Sequence, residues 1–348
     1  MKVGMVCPYD WSYPGGVRSH IVGLVGALRR RGIEVEIIAP ATDREPDIFA
    51  AGRTVGIPYN GSVARLCLSP RANSLIKRRL EQGDLDLVHI HEPFSPSVSV
   101  LTLTNARIPA VATFHASADR SIAYQVAKPL LRPLAGKIAV RIAVSGAAER
   151  LVGSYFPGEF RRIPNGIEQK RFAEAVPAEL GDKPFVLFVG RPERRKGLDV
   201  AVEAVARVRK HLDVDLVAVG PTPADVPEWV RALGKVDQSE LPRIYRAARV
   251  FCAPSLEGES FGIVLVEAAA AGTPVVCSDL AGYQEAAAGA ALHVPVGDVG
   301  ATADALLSVL QDPALAERLV VRGHRRAAAL DWDALVDDVT GCYRSAVS

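Results

Sequence analysis

Residues 2–40 read KVGMVCPYDWSYPGGVRSHIVGLVGALRRRGIEVEIIAP. An apolar run from Lys2 to Cys7 leads into the turn-rich PYDWSYPGG, then a helical pattern over Val17 to Arg31, then Gly32 and the apolar VEIIAP. Strand, glycine-bearing loop, helix and strand make the βαβ unit of a doubly wound parallel sheet. The same grammar continues with strands expected at DLVHIHE (86–92), PAVATFH (109–115) and RIAVS (141–145).

A second series begins at PFVLFVG (184–190), with a helix expected over Leu198 to His211. VDLVAVG (214–220), ARVFCAP (248–254), TPVVCSD (273–279) and ALHVPVG (291–297) follow. These strands are short, rich in valine and separated by helical segments, as a parallel sheet covered on both faces requires. The expected fold is therefore α/β, with two Rossmann-like doubly wound domains facing across a cleft. The first spans 1–166 and the second 167–332, joined near RRIPNGIE (161–168). Trp332 marks a final helix, 333–348, passing back to the first domain.

Bulk properties agree. A chain of 348 residues exceeds what one core usually organises. Its net charge of +2 gives no case for a nucleic-acid partner. Five scattered cysteines without a CxxC pair read as buried, reduced thiols of a cytoplasmic protein. MKVGMVCPYDW is too short an apolar run for a secretion signal, and no stretch is long enough to span a membrane.

Open α/β sheets bind ligands beyond the carboxyl ends of their strands, so the loops there carry the functional reading. PGG (14–16) precedes a helix, where backbone amides can approach an anion, although a simple tight turn has the same sequence. GRPERRKG (190–197) sets Arg191, Arg194, Arg195 and Lys196 between a strand and a helix, a cation set that suits a diphosphate as well as a solvated loop. In EGESFGIVLVEAAAAG (257–272) a helix is expected from near Ser260, leaving the amides of Phe261, Gly262 and Ile263 for an anion. Read as helical throughout, Glu259 and Glu267 are ~12 Å apart, too far to share a metal or proton. A nucleoside diphosphate sugar reconciles the three loops: pyrophosphate to amides and cations, carboxylates to sugar and ribose hydroxyls. The DLD and HIHE pattern (Asp84, Asp86, His89, His91, Glu92) reads as a strand entry and cleft or core histidines rather than a metal site.

ESFGIVLVE, GRPERRKG and PGGV together resemble the family-4 retaining glycosyltransferases of GT-B fold over essentially the whole chain. The resemblance implies Glu259 at the donor sugar, Glu267 at the ribose and Arg191 and Lys196 on the diphosphate. Gly16 would approach that diphosphate and His115 of ATFHAS would lie beside the sugar. Within the family the nearest resemblance, carried by MVCPYDWSYPGGVRSH, IPYNGSVARL (57–66), HIHEP and ATFHAS, is to enzymes moving mannose from GDP-mannose to phosphatidylinositol. It implies Tyr59, Asn60, Ser62 and Arg65 around a phosphoinositol head, with Asp10 and Arg18 as neighbours. No protein-bound cofactor or metal is implied, although Mg²⁺ can act on the diphosphate. RANSLIKRRLEQ (71–82) reads as a basic amphipathic helix; with a lipid acceptor it is expected to meet an anionic membrane surface, placing the protein on the inner face of the plasma membrane. Another lipid or small-molecule acceptor, an epimerase of the same fold and a non-catalytic binder stay open as readings.

Overall fold

The computed structural model describes residues 1–13, 15–41, 48–59, 62–67, 69–116 and 120–348, with the backbone alone at 57–59 and 62–64. The chain forms two compact units: Met1–Gly166 with Trp332–Ser348, and Ile167–Asp331. Trp332, expected at the end of the second unit, belongs to the first.

The first unit runs β1 (Lys2–Val6), α1 (Gly16–Arg30), β2 (Glu34–Ala39), β3 (Ile48–Ala50), β4 (Val55–Tyr59), β5 (Ser62–Leu66) and α2 (Pro70–Glu81). It continues with β6 (Leu87–His91), α3 (Val98–Asn105), β7 (Ala110–Phe114), α4 (Ile122–Ala135), β8 (Ile138–Ala143), α5 (Gly146–Tyr155) and β9 (Arg161–Arg162). Its sheet has the order β3-β2-β1-β6-β7-β8-β9, all parallel. The direction of winding reverses between β1 and β6, where Val6 pairs with Ile38 on one side and Ile90 on the other. An antiparallel hairpin, β4 with β5, stands apart from the sheet. Val6, Ile38, Val88, Ile90, Ala112 and Phe114 meet Ile76, Leu103 and Val152 from the helices in one apolar core.

The second unit contains α6 (Gln169–Ala173), β10 (Phe185–Val189), α7 (Leu198–Val208), β11 (Asp215–Val219), β12 (Arg231–Gly234), α8 (Leu241–Ala247) and β13 (Val250–Ala253). There follow α9 (Ile263–Ala270), β14 (Val275–Ser278), α10 (Ala281–Ala287), β15 (Leu292–Val294), α11 (Val299–Gln311) and α12 (Pro313–Ala329). The parallel order β12-β11-β10-β13-β14-β15 reverses between β10 and β13. Val186, Phe188, Leu216, Val250 and Cys252 pack against Val205 and Leu306.

The last helix, α13 (Trp332–Val347), packs on α1 and on the strands of the first unit. Its buried Trp332 is seated on two glycines: a Cβ at Gly23 would lie 2.1 Å from the indole Nε1, and one at Gly166 2.5 Å from the ring. All five cysteines are buried free thiols. No helix among the described residues is long and apolar enough to cross a membrane.

Helix α2 turns one face into the core of the first unit. Ala72 and Ile76 are fully buried in the first-unit core, Leu80 packs beside them, and Arg79 is 4% exposed. Arg79 is held by Glu36 and Asp84, with its Nη1 2.6 Å from Asp84 Oδ1. Ala72, Ile76 and Leu80 therefore pack inward, Leu75 is half-buried, and Arg71, Lys77 and Arg78 lie outside, with Lys77 3.9 Å from Glu81.

Candidate functional site

In the second unit the chemistry gathers at the reversal between β10 and β13, where this fold places ligands. The loop after β10 closes as a single 3₁₀ turn over Arg194–Lys196 and passes through Gly197 at φ 69° into α7. A Cβ at Gly197 would sit 1.9 Å from the Pro254 carbonyl oxygen, so only glycine allows the loops after β10 and β13 to touch. The Leu256 amide donates to the Arg195 carbonyl at 2.7 Å and locks them together.

That contact brings Lys196 Nζ 2.6 Å from Glu259 Oε1, with Arg195 Nη1 3.6 Å from the same oxygen. The Ser255 hydroxyl donates to it at 3.0 Å and lies 2.8 Å from the Tyr283 hydroxyl. Glu193 accepts from Arg195 Nε at 2.8 Å and from the exposed Arg191 at 3.3 Å. The loop is thus organised by its own acidic residue, and two of its cations converge on one carboxylate. Glu193 and Ser255 lie within the two loops but carry no pattern that marks them as partners of the charged residues, and Tyr283 is brought to Ser255 from 28 residues away by tertiary folding.

The helix following Glu259 starts at Ile263, not near Ser260. Gly262 is its N-cap at φ 89°, and a Cβ there would meet the Tyr283 ring at 2.4 Å. Phe261 is buried. Glu259 therefore lies in the loop, and the helical spacing assumed between it and Glu267 does not hold. Glu267, on α9, accepts from the Tyr245 hydroxyl at 3.2 Å. Burial pushes its carboxyl up to about 7, against the opposing pull of Tyr245 and Arg171.

In the first unit, histidines fill the carboxyl ends of β6 and β7. His89, His91 and His115 stack in sequence, with centroids 4.6 and 5.2 Å apart. His89 is a core residue, its two nitrogens each 2.7 Å from the Tyr343 and Thr113 hydroxyls. His91 Nε2 is 3.1 Å from Met5 Sδ, and its Nδ1 is 2.9 Å from His115 Nε2. A thioether has no proton to give, so His91 donates to Met5 and accepts from His115. His115 accordingly carries its proton on Nε2 and a lone pair on Nδ1. Its ring also interacts with the side-chain amide of Asn165, whose Oδ1 lies 2.8 Å from His20 Nδ1.

Burial keeps these imidazoles neutral, holding His20 down to about 4, His89 to about 3, and His91 and His115 well below their usual value. One nitrogen from each of His20, His91 and His115 lies within 4.8 Å of the other two. This trio, rather than His89, His91 and Glu92, has the composition of a metal-binding group; its His91 nitrogens are both engaged within the chain. Glu92 has a structural contact: its buried Oε1 accepts from the backbone of His115 at 2.6 Å and of Ala116 at 2.7 Å. It does so from a left-handed backbone, φ 46°, unusual for a side chain of this size.

The remaining expected residues are placed as follows. Gly16 opens α1, and a Cβ there would meet nothing within 4 Å. Asp10 is buried, its carboxylate accepting from the Ser12 amide at 3.1 Å and from the Thr54 hydroxyl, while its own amide donates to the Arg65 carbonyl. The Arg65 guanidinium lies 3.9 Å over Tyr13, and that of Arg18 5.0 Å over Trp11. Arg18 Nε has no hydrogen-bond partner among the described residues. Asn60 and the side chains of Tyr59 and Ser62 lie outside the described residues.

Residues 183–312 match the family described as "Glycosyl transferases group 1", and residues 14–171 match "Glycosyltransferase Family 4". The chain belongs to the family-4 glycosyltransferases, enzymes of GT-B fold. A phosphatidyl-myo-inositol mannosyltransferase of Mycobacterium leprae is 41% identical over 99% of this chain and 97% of its own length. The protein of that name from Mycolicibacterium smegmatis is also 41% identical, over 99% of this chain and 94% of that one. The fold is shared with sucrose-phosphate synthase of Thermosynechococcus elongatus, with a TM-score of 0.76 over 99% of this chain and 98% of that one at 24% identity.

Proposed function

We propose that this protein transfers mannose from GDP-mannose to the inositol ring of phosphatidylinositol, with retention at the anomeric carbon, on the inner face of the plasma membrane. The observation that carries the acceptor and sugar is the 41% identity, over nearly the whole length of both chains, to proteins named for that activity. The second unit holds the donor. Arg191, Lys196 and the amides from Phe261 to Ile263 take the diphosphate, Glu259 the mannose and Glu267 the ribose. The first unit holds the acceptor, with Arg65 on the phosphate of the head group and Tyr59, Asn60, Ser62, Asp10 and Arg18 around the inositol.

The bond from the anomeric carbon to the diphosphate oxygen breaks as the bond to the inositol oxygen forms on the same face. The hydroxyl proton passes to the departing diphosphate, so the cations of the β10 loop serve chiefly to stabilise that leaving group. No carboxylate need attack the sugar, which distinguishes this course from double displacement. His115, kept neutral by burial, lies beside the transferred sugar. Mg²⁺ can share the diphosphate charge.

The test incubates purified protein with labelled GDP-mannose or UDP-sugars against phosphatidylinositol, soluble inositol phosphate and no acceptor. Mannose appearing in lipid with its anomeric configuration kept supports the reading. Transfer to the soluble acceptor alone, or conversion of the donor without any acceptor, overturns it in favour of another acceptor or an epimerase.

A further inference from the structure

Helix α4 is apolar on two opposite faces. Leu131 and Ala135 are buried in the first-unit core, with Ala127 and Leu134 packed beside them. On the other side Ile122, Val126 and Leu130 are 79%, 75% and 79% exposed, the three most exposed large hydrophobic side chains described. Their spacing of four stacks them as one stripe. A helix on the surface of a globular protein ordinarily has a polar outer face.

The charge around the stripe is one-sided. Arg120, Lys128, Arg132 and Lys137 are all exposed, and no acidic residue occurs between the first and the last. Pairing the stripe with a second copy about a two-fold axis would bring these like charges together. An anionic leaflet neutralises them while covering the apolar stripe. The outward residues of α2 include Arg71, Lys77 and Arg78, but its Ile76 is buried.

We propose that the outer face of α4 docks on an anionic lipid surface, with Ile122, Val126 and Leu130 entering the interface and Lys128 and Arg132 meeting head-group phosphates. The inference deepens the lipid-acceptor reading and rests on it for the choice of a bilayer as partner. Helix α4 begins seven residues after His115 in the chain.

The experiment floats the full chain with vesicles of equal parts phosphatidylglycerol and phosphatidylcholine. Wild type is expected to float. Ile122→Ser/Val126→Ser/Leu130→Ser should lower partitioning roughly 100-fold, and Lys128→Gln/Arg132→Gln roughly 30-fold at low salt. Circular dichroism and the melting temperature should match wild type, because the altered side chains lie outside. As an independent measurement, Leu130→Trp should shift its emission to the blue on vesicles and be quenched by brominated lipid.

Undiminished flotation of the triple serine variant overturns the proposal, as does a solvent-like Leu130→Trp emission on floated protein. A wild-type dimer that the triple variant converts to monomer would assign the stripe to a second copy and also overturn it. Mannose transfer is assayed separately. Flotation through α4 without lipid mannosylation leaves docking standing and removes the acceptor reading, whereas mannosylation with flotation independent of α4 does the reverse.

Discussion

Lys196 Nζ stands 2.6 Å from Glu259 Oε1, and the two residues belong to loops at the carboxyl ends of neighbouring parallel strands. The proposed donor gives these residues opposite tasks, phosphate for the cation and hydroxyls for the carboxylate. Their contact couples the tasks, since a phosphate that draws Lys196 toward itself changes the charge felt at Glu259.

Lys196→Met should remove a leaving-group cation and one partner of a mostly buried carboxylate. Turnover is expected to fall ~100-fold or more and stability by about 1–3 kcal/mol. Lys196→Met/Glu259→Gln should recover part of the stability and none of the turnover. Denaturant melts and initial rates on these two variants and on Glu259→Gln check the coupling; additive stability losses would show that the contact contributes nothing.

Two glycines should respond in opposite ways. Gly197→Ala puts a methyl 1.9 Å from the Pro254 oxygen at φ 69°, so it should destabilise the second unit by more than about 2 kcal/mol. Gly16→Ala finds open space at a helix start and should change stability by less than about 1 kcal/mol. If the Gly16 backbone meets the diphosphate, turnover falls all the same. Normal turnover in Gly16→Ala would remove that residue from the donor site.

Glu92→Ala leaves the His115 and Ala116 amides without their buried acceptor, a loss of about 2–5 kcal/mol. Glu92→Gln retains one oxygen for both amides and should keep most of the stability. The paired comparison by thermal melts separates the acceptor atom from the charge, and a Gln variant as weak as Ala would make the charge the cause.

Stability should depend on pH with opposite sign in the two units. His20 has a folded value of about 4, below its unfolded 6.5, so the unfolded state binds the extra proton between these values. Stability of the first unit is therefore lost as pH falls from 6.5 toward 4, on the order of 3 kcal/mol from His20 alone. His89, His91 and His115 shift the same way, and Glu92, raised by burial, opposes them. Glu267 is raised from 4.5 to about 7, so its contribution is full below 4.5 and lost as pH rises through 7. Hydrogen exchange resolved by unit at pH 5 and pH 7 should show the first unit weaker at pH 5 and, for the Glu267 contribution, the second unit stronger.

Both sheets were legible because parallel strands buried on two faces are continuous apolar runs: GMV in β1 and FVLFV in β10 admit no other reading of comparable economy. Cation-bearing loops and the two glutamates could be found for the same reason, since charge after such a run marks a strand end. The start of α9 was misjudged because Ser260 looks like a cap, whereas the position of Tyr283 leaves room only for a glycine cap at 262. His20 and Asn165 are 145 residues apart, so no local pattern announces their hydrogen bond. Likewise α2 has the residues of a basic amphipathic helix; that Ile76 and Arg79 turn inward is decided by the core and the carboxylates they meet, not by periodicity.

The return of α13 to the first unit has a consequence for synthesis. The second unit is one uninterrupted length of chain, but the first cannot finish folding until residues 332–348 have been made. At about 5–20 residues per second the intervening segment takes roughly ten to thirty seconds to emerge. During that interval His89 lacks the Tyr343 hydroxyl and His20 lacks the ring of Trp332. Truncation at the carboxyl terminus should accordingly cripple the amino-terminal unit first and leave the unit nearer the break folded.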